Sequence, residues 1–279
     1  MKKLFLIFIV FLFRVEGASF VEGKLTGQIG NQMFVIAATV AYSLDHDARA
    51  VFPDFISDRT NGIPLNFENL FYHLDTTLPE EVLYDFHEAS ADFAPIPDRK
   101  NIRIHGYFQS EKYFKGHKKE ILELFARPAE ITAYLEGKYG DIFNQNKTVS
   151  LHMRSYVDHD PEQKVYIQYG REYFKRAVAL FPEDALFLVF SNRMEDCKKE
   201  LAGIDRKFIF VENERYYHDL YLMSMCDHNI ICNSSFSWWA AYLNPNSEKI
   251  IVAPPKWYAV GSGILENDLV PKEWVRVSL

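Results

Sequence analysis

The chain has 279 residues, 48% hydrophobic and 25% charged, enough apolar material for one large domain or two of about 100–150 residues. Thirty-one Lys and Arg against 38 Asp and Glu leave a net charge of −7, which speaks against nucleic acid as a partner but permits a local cationic pocket. Three cysteines, Cys197, Cys226 and Cys232, are an odd number without metal-ligand spacing, so neither a disulfide framework nor a structural zinc site is expected.

Lys2 and Lys3 precede an apolar run, Leu4 to Phe13, closed by Arg14. Ten helical residues rise about 15 Å, half a bilayer core, so the run suits a signal sequence or a surface anchor rather than a span. Residues 1–18 are therefore set aside as an extension. A short strand follows at 20–25 and runs into Thr26-Gly27-Gln28-Ile29-Gly30-Asn31, before a helical stretch from 32 to 44. Gly27 and Gly30 permit a tight turn and close backbone approach, and the free amides of the next helix offer an anion site. A tight turn with Asn31 as a cap is the plainer alternative. The spacing fits neither a dinucleotide fingerprint nor a nucleoside-triphosphate loop.

Residues 48–52 read as a second strand closed by Pro53, and 53–100 as loop-rich, with Asn61-Gly62, Pro64, Pro79, Pro95 and Pro97. A strand at 102–108, a helix at 111–125 and another from Pro128 to about 138 come next. The polar stretch 140–147 marks the expected boundary between an acceptor-side domain, 19–145, and a second domain, 146–279. From there the rhythm is regular: strands at 148–152, 185–190, 207–211, 228–232 and 249–253 alternate with helices near 170–181, 193–202, 216–226 and 236–243. That alternation predicts an α/β fold with parallel sheets, whose ligands bind beyond the strands' carboxyl ends. The segments after Leu25, Leu151, Phe190 and Cys232 are thereby picked out.

In Ser150-Leu151-His152-Met153-Arg154, His152 and Arg154 share one face of the strand. Arg154 offers a fork suited to phosphate oxygens and His152 a donor–acceptor edge, although a surface Arg and a backbone-bonded core His would show the same spacing. In Cys232-Asn233-Ser234-Ser235-Phe236-Ser237-Trp238-Trp239, a hydroxyl-rich turn opens a helix whose amides favour phosphate. Trp238 and Trp239, followed by Ala240-Ala241, are expected to pack helix to sheet rather than to stack on sugar.

Taken together these stretches resemble the α-1,2-fucosyltransferases. The likeness rests on Leu25-Thr26-Gly27-Gln28-Ile29-Gly30-Asn31-Gln32-Met33-Phe34, Gly106-Tyr107-Phe108-Gln109-Ser110-Glu111-Lys112-Tyr113-Phe114, His152-Met153-Arg154, and the run from Asp219 to Trp239. The resemblance implies a GT-B-like fold of two Rossmann-like parallel-sheet domains, with GDP-fucose as donor substrate held mainly by the second. It implies a galactose-terminated glycan as acceptor, an inverting transfer, and no metal or other cofactor. Donor-binding roles pass to Gly27, Gly30, Asn31, His152, Arg154, Asn192, Asp219, Asn233, Ser234, Ser235 and Phe236, with Asp219 set toward guanine. Catalytic roles pass to Arg154, and to Asp158 or His152 as base. The family's His-x-Arg-Arg-Gly-Asp-Tyr reads here as His152-Met153-Arg154-Ser155-Tyr156-Val157-Asp158, so the second arginine is absent; Arg171, Lys164 and Lys256 are the candidates to replace it. A non-catalytic GDP-sugar- or glycan-binding relative, or a fucosyltransferase of different linkage, is the alternative. The cytosolic origin of GDP-fucose, the sparse cysteines and a glycosylation sequon at Asn233 inside the donor site favour a cytoplasmic location. Residues 4–13 then give peripheral membrane association, and a secretory lumen is the other option.

Overall fold

The computed structural model describes residues 19–56, 66–79, 84–162 and 164–278. The apolar segment 4–13 and the extension 1–18 lie outside these residues. Among the described residues no helix is long and apolar enough to cross a membrane.

The chain opens with β1 (Phe20–Lys24), α1 (Ile29–Asp45) and β2 (Arg49–Val51). A strand not foreseen in the proline-rich region, β3 (Tyr84–His87), is followed by β4 (Ile102–His105). These four strands form an all-parallel sheet in the order β2-β1-β4-β3. The helix expected over 111–125 is broken: two 3-10 turns, Glu111–Tyr113 and Lys115–His117, precede α2 (Lys118–Leu124).

The next helix, α3 (Ala129–Gln145), runs through most of the polar stretch that was read as a boundary. Strand β5 (Thr148–Met153) begins three residues after it. The rest follows the expected alternation: α4 (Arg171–Val178), β6 (Leu186–Ser191), α5 (Met194–Leu201), β7 (Lys207–Phe210), α6 (Tyr216–Met225), β8 (His228–Ile230), α7 (Ser235–Tyr242), β9 (Ile251–Ala253) and a short β10 (Val275–Arg276). Their sheet is again all parallel, ordered β10-β9-β8-β5-β6-β7. Although placed in the first half by the sequence reading, α3 packs with the second. Its Tyr134, Lys138 and Tyr139 all bond the buried carboxylate of Glu214, just ahead of α6. Two parallel α/β units sharing a cleft are the GT-B-like arrangement that the resemblance implies.

Strand β5 is buried along its whole length because helices cover both faces of the sheet. Val149, Leu151 and Met153 enter one apolar cluster with Phe174 and Phe187. The alternate face carries polar groups with dedicated partners: Thr148 bonds Asp227, and Ser150 accepts from Asn229. Trp238 and Trp239 are fully buried against Phe34, Phe114 and Phe125, so their packing role holds. The Trp238 indole N–H finds the carbonyl of Leu269 at 2.9 Å.

Helices α1 and α7 pack on each other at their N-terminal turns, around Gly30. A Cβ there would lie 2.5 Å from the Phe236 amide nitrogen and from the Ser235 carbonyl carbon, both backbone atoms with no rotamer to yield. Gly30→Ala is therefore expected to destabilise the protein by about 1–3 kcal/mol, the ordinary range for forced overpacking. Urea denaturation followed by tryptophan fluorescence checks this; an unchanged midpoint would mean that the helix ends separate freely.

Candidate active site

The carboxyl ends of both sheets open on one cleft of about 1510 Å³. Residues 28–31, 152–156, 190–192 and 233–236 all contribute to its lining, so the strand-end rule located it correctly. Gly30, Asn31, His152, Arg154, Asn192, Asp219, Asn233, Ser234, Ser235 and Phe236 line it. Gly27 and Asp158 do not.

Gly27 acts one step back. It takes a left-handed φ of 64°, which only glycine adopts without strain, and its carbonyl accepts from Gln32. The turn is thereby closed, and α1 starts at Ile29, three residues earlier than expected. Asn31 consequently lies inside the first turn of α1 and does not cap it. Its Oδ1 instead accepts from Ser235 Oγ at 2.7 Å and from Gln109 Nε2 at 2.8 Å. Gln109 Oε1 accepts in turn from the Tyr258 hydroxyl. One amide oxygen thus ties together three of the sequence stretches that carry the resemblance.

The first turns of α1 and α7 meet where Gly30 touches Phe236, and among the described residues no side chain caps the N-terminus of either helix. Two helix N-termini add their partial positive charges at that point. Arg154, half-buried, lines the same cleft. Among the described residues its guanidinium has no carboxylate partner and lies 5.6 Å over the Tyr156 ring. Its backbone is fixed from both sides: the Arg154 amide donates to Cys232 Sγ at 3.2 Å, and its carbonyl accepts from Gln168. A guanidinium on a fixed backbone, without a carboxylate counter-ion among the described residues, is arranged for an external anion.

His152 is buried, with Nδ1 3.3 Å from Cys232 Sγ. Burial, assisted by the Arg154 charge, pushes its pKa down to about 3, so the imidazole stays neutral and has little affinity for a proton. It can direct a hydrogen bond into the cleft, but it is poorly suited to be a base.

Asp158, the other base candidate, is 62% exposed and paired with Arg193 Nη1 at 3.2 Å. That partner lies 35 positions along the chain, beyond the reach of local spacing. The expected replacements for the missing arginine also lie elsewhere. Arg171 bonds the carbonyls of Glu200 and Ala202, Lys164 pairs with Glu162, and Lys256 faces Glu266; none of the three lines the cleft. Ser155 itself is buried and exchanges two hydrogen bonds with Asn192, which holds the loop after β5 against the end of β6. Beside Arg154 stand aromatic rings instead: Tyr156 stacks on Tyr166 with centroids 4.3 Å apart and planes 9° apart.

Asp219 reaches the cleft from α6. Its Oδ1 is buried without a hydrogen-bond partner among the described residues. Burial first, and the Glu214 charge second, raise its pKa from the usual carboxylate range to about 7. Asn66, Asn69 and Tyr216 stand with it in the lining, joined by Tyr216 Oη to Asn66 Oδ1 and Asn69 Nδ2 to Tyr216 Oη. The first half therefore helps build this part of the cleft, which the loop-rich look of 53–100 concealed. Also unforeseen were His87, the last residue of β3, and Glu88 just after it, because that strand is too polar and too short to stand out.

The sequence profile of glycosyl transferase family 11 matches residues 61–278. Alpha-1,2-colitosyltransferase of Escherichia coli is 26% identical over 291 residues, spanning 93% of this chain and 99% of that protein. Galactoside alpha-(1,2)-fucosyltransferase 1 of Leontopithecus chrysomelas is 24% identical, across 78% of this chain and 63% of the relative. Among solved structures, fucosyltransferase NodZ from Bradyrhizobium superposes with a TM-score of 0.51 at 14% identity, covering 82% of this chain and 94% of that one. At that identity the likeness concerns the fold alone.

Proposed function

The chain belongs to glycosyl transferase family 11, and from that premise we propose that it moves L-fucose from GDP-fucose, with inversion, to the 2-hydroxyl of a terminal β-galactoside. One observation carries the reading: Arg154, whose guanidinium has no carboxylate partner among the described residues, lines the same cleft as the N-terminal turns of α1 and α7 and as Asp219, whose buried Oδ1 has no hydrogen-bond partner among those residues. A nucleoside diphosphate with a guanine base has the complementary groups, two negative phosphates and a base edge bearing N–H donors.

In this reading Arg154, Ser234, Ser235 and the first-turn amides of α7 stabilise the departing diphosphate without a metal ion. His152, held neutral, donates or accepts a single hydrogen bond and adds no charge of its own. Asp219 accepts from the guanine N1 and N2 groups, and Asn192, Asn233 and Phe236 complete the donor wall. No cofactor is required beyond the donor itself. Gly27 shapes the turn that starts α1 rather than touching the donor. Asp158 has no part in the proposal, because its carboxylate is spent on Arg193.

The test is direct. Purified protein is incubated with GDP-fucose and lactose, and the product is read by mass spectrometry, with the linkage assigned by NMR. The expected product is lactose carrying one fucose in α-1,2 linkage to galactose. Because the Escherichia coli relative is named for a colitosyl group, a donor carrying that group belongs in the same assay. Turnover of another donor, with none of GDP-fucose, would overturn the donor assignment; GDP binding by calorimetry without any transfer would favour a non-catalytic relative.

A further inference from the structure

We propose that Glu88 receives the proton of the acceptor hydroxyl, and that the tyrosines around it form the wall against which the acceptor sugar lies. The proposal rests on the glycosyl-transfer reading above. It starts from a gap in that reading: Asp158 is on the surface in an ion pair, and His152 has too little proton affinity. Among the described cleft residues, the carboxylates are Glu88 and Asp219. Asp219 sits with Asn66, Asn69 and Tyr216. Glu88 comes from the other sheet and sits among aromatic rings.

Its place is fixed by the backbone. The Glu88 amide donates to the His105 carbonyl at 2.8 Å, extending the β3–β4 pairing by one residue. Its Oε2 accepts from the amides of Tyr107 at 2.7 Å and Phe108 at 3.0 Å. Oε1 has only the longer contacts, 3.1 Å from the Phe108 amide and 3.4 Å from the Tyr113 hydroxyl. A carboxylate oxygen has two lone-pair sites, so Oε1 is the one with capacity for a further donor. The loop that supplies these amides is itself shaped for the purpose. Phe108 has a left-handed φ of 50°, and a Cβ at Gly106 would lie 2.4 Å from the Glu88 Cβ. A group held this firmly is preorganised for proton transfer.

The surroundings suit a sugar. Tyr107, Tyr166 and Tyr258 line the same part of the cleft, the last two with centroids 5.8 Å apart. Rings that cover the C–H face of a pyranose, next to a carboxylate that accepts from its hydroxyls, are a chemically complementary pair. The groups that bear on the Glu88 carboxylate are the hydroxyls of Tyr113 and Tyr258. His87 and His105 are stacked nearby at 4.3 Å, and His105 Nε2 is occupied by Asp85 at 2.8 Å. No lysine or arginine contact to Glu88 occurs among the described residues, and burial raises its pKa above the ordinary carboxylate value.

The step balances simply. As the acceptor oxygen forms its bond to the anomeric carbon, the bond from that carbon to the β-phosphate oxygen breaks. The electron pair leaves on GDP, and the hydroxyl proton moves to Glu88 Oε1. Glutamine at 88 keeps the shape and an oxygen for the amide donors, but cannot take that proton.

The experiment compares the full-length wild type with Glu88→Gln and Glu88→Asp, using GDP-fucose and lactose between about pH 5 and 8. The expected result for Glu88→Gln is a fall in kcat of about 100-fold or more, an unchanged donor KM, an unchanged melting temperature, and loss of the acid limb of the kcat profile. A merely structural cap would instead lower the melting temperature and leave the acid limb in place. Should Glu88→Gln fail to fold, Glu88→Asp decides: a lowered kcat with the acid limb retained supports the proposal, and full wild-type kcat overturns it. Undiminished turnover by folded Glu88→Gln, or loss of turnover in His87→Ala alone, overturns it while leaving the fucosyl reading standing. A wild type that turns over no sugar nucleotide overturns both.

Discussion

Replacing Arg154 with alanine is expected to lower kcat/KM for the donor by about 100- to 1000-fold, roughly 3–4 kcal/mol of transition-state stabilisation. The size follows from isolation. Arg154 has no internal counter-ion among the described residues, so its whole electrostatic capacity is available to a ligand. The expected substitutes, Arg171, Lys164 and Lys256, are engaged outside the cleft. Ser155, where the family carries a second arginine, is tied to Asn192 through its backbone and offers no charge. The remaining positive potential comes from the ends of α1 and α7, each worth about half a charge at most. Removing Arg154 thus removes the principal full positive charge from the diphosphate. Arg154→Lys keeps the charge but loses the bidentate fork, so an intermediate loss is expected. Folding should not suffer, because the guanidinium bonds nothing in the protein that must then be satisfied. Steady-state kinetics with varied donor, beside a thermal melt, gives both answers; near-normal kinetics in Arg154→Ala would remove it from the site.

The same residues show why part of the architecture was legible and part was not. A parallel strand covered on both faces can become a nearly continuous apolar run, as in Leu186–Ser191, whereas Thr148–Met153 is legible from its alternation of Val149, Leu151 and Met153 with polar residues. Once those strands are placed, topology puts their carboxyl ends in one cleft, and His152, Arg154, Asn192 and Asn233 follow. What fails is whatever depends on a partner far along the chain. Asp158 looks like a free acid until Arg193 is found beside it, and Asn31 looks like a cap until Ser235 arrives from 204 residues away. Glu88 was invisible for the same reason: its meaning comes from the amides of Tyr107 and Phe108 on a neighbouring strand end. Strand β3, Tyr-Asp-Phe-His, alternates too weakly and has too many exposed positions to be separated from the loops around it. The polar stretch at 140–147 is mostly the exposed last turns of α3, which ends at Gln145 with two residues left before β5.

Asp219→Asn is expected to move binding and stability in opposite directions, and the pH at which each effect appears is fixed by one group. In the folded protein its carboxyl is raised to about 7, chiefly by burial, whereas an unfolded chain has it near 3.8. A folded pKa above the unfolded one means that the native state holds the proton more tightly. The favourable contribution is fully present below about pH 4 and is lost progressively up to about pH 7, beyond which the fold carries a constant penalty. A shift of this size sets an upper bound of about 4 kcal/mol on that penalty, less once solvent near the cleft screens it. Asparagine has no charge to bury, so the variant should match wild type near pH 4 and be the more stable protein above pH 7. Donor binding should respond the other way. If the carboxylate accepts from guanine N1 and N2, only the ionised form binds well, and wild-type affinity for GDP should improve about tenfold per pH unit up to pH 7 and then level off. In the variant the amide donates where the base also donates. The expected loss is about 1.5–3 kcal/mol, or roughly 10- to 150-fold in Kd, with the pH dependence gone. Inosine diphosphate, which lacks the 2-amino group, should bind the wild type more weakly than GDP and the variant nearly as well as GDP. Calorimetry with both nucleotides across that pH range, paired with urea melts, reads all of these at once. A pH-independent Kd in the wild type, equal to that of Asp219→Asn, would take the base away from Asp219.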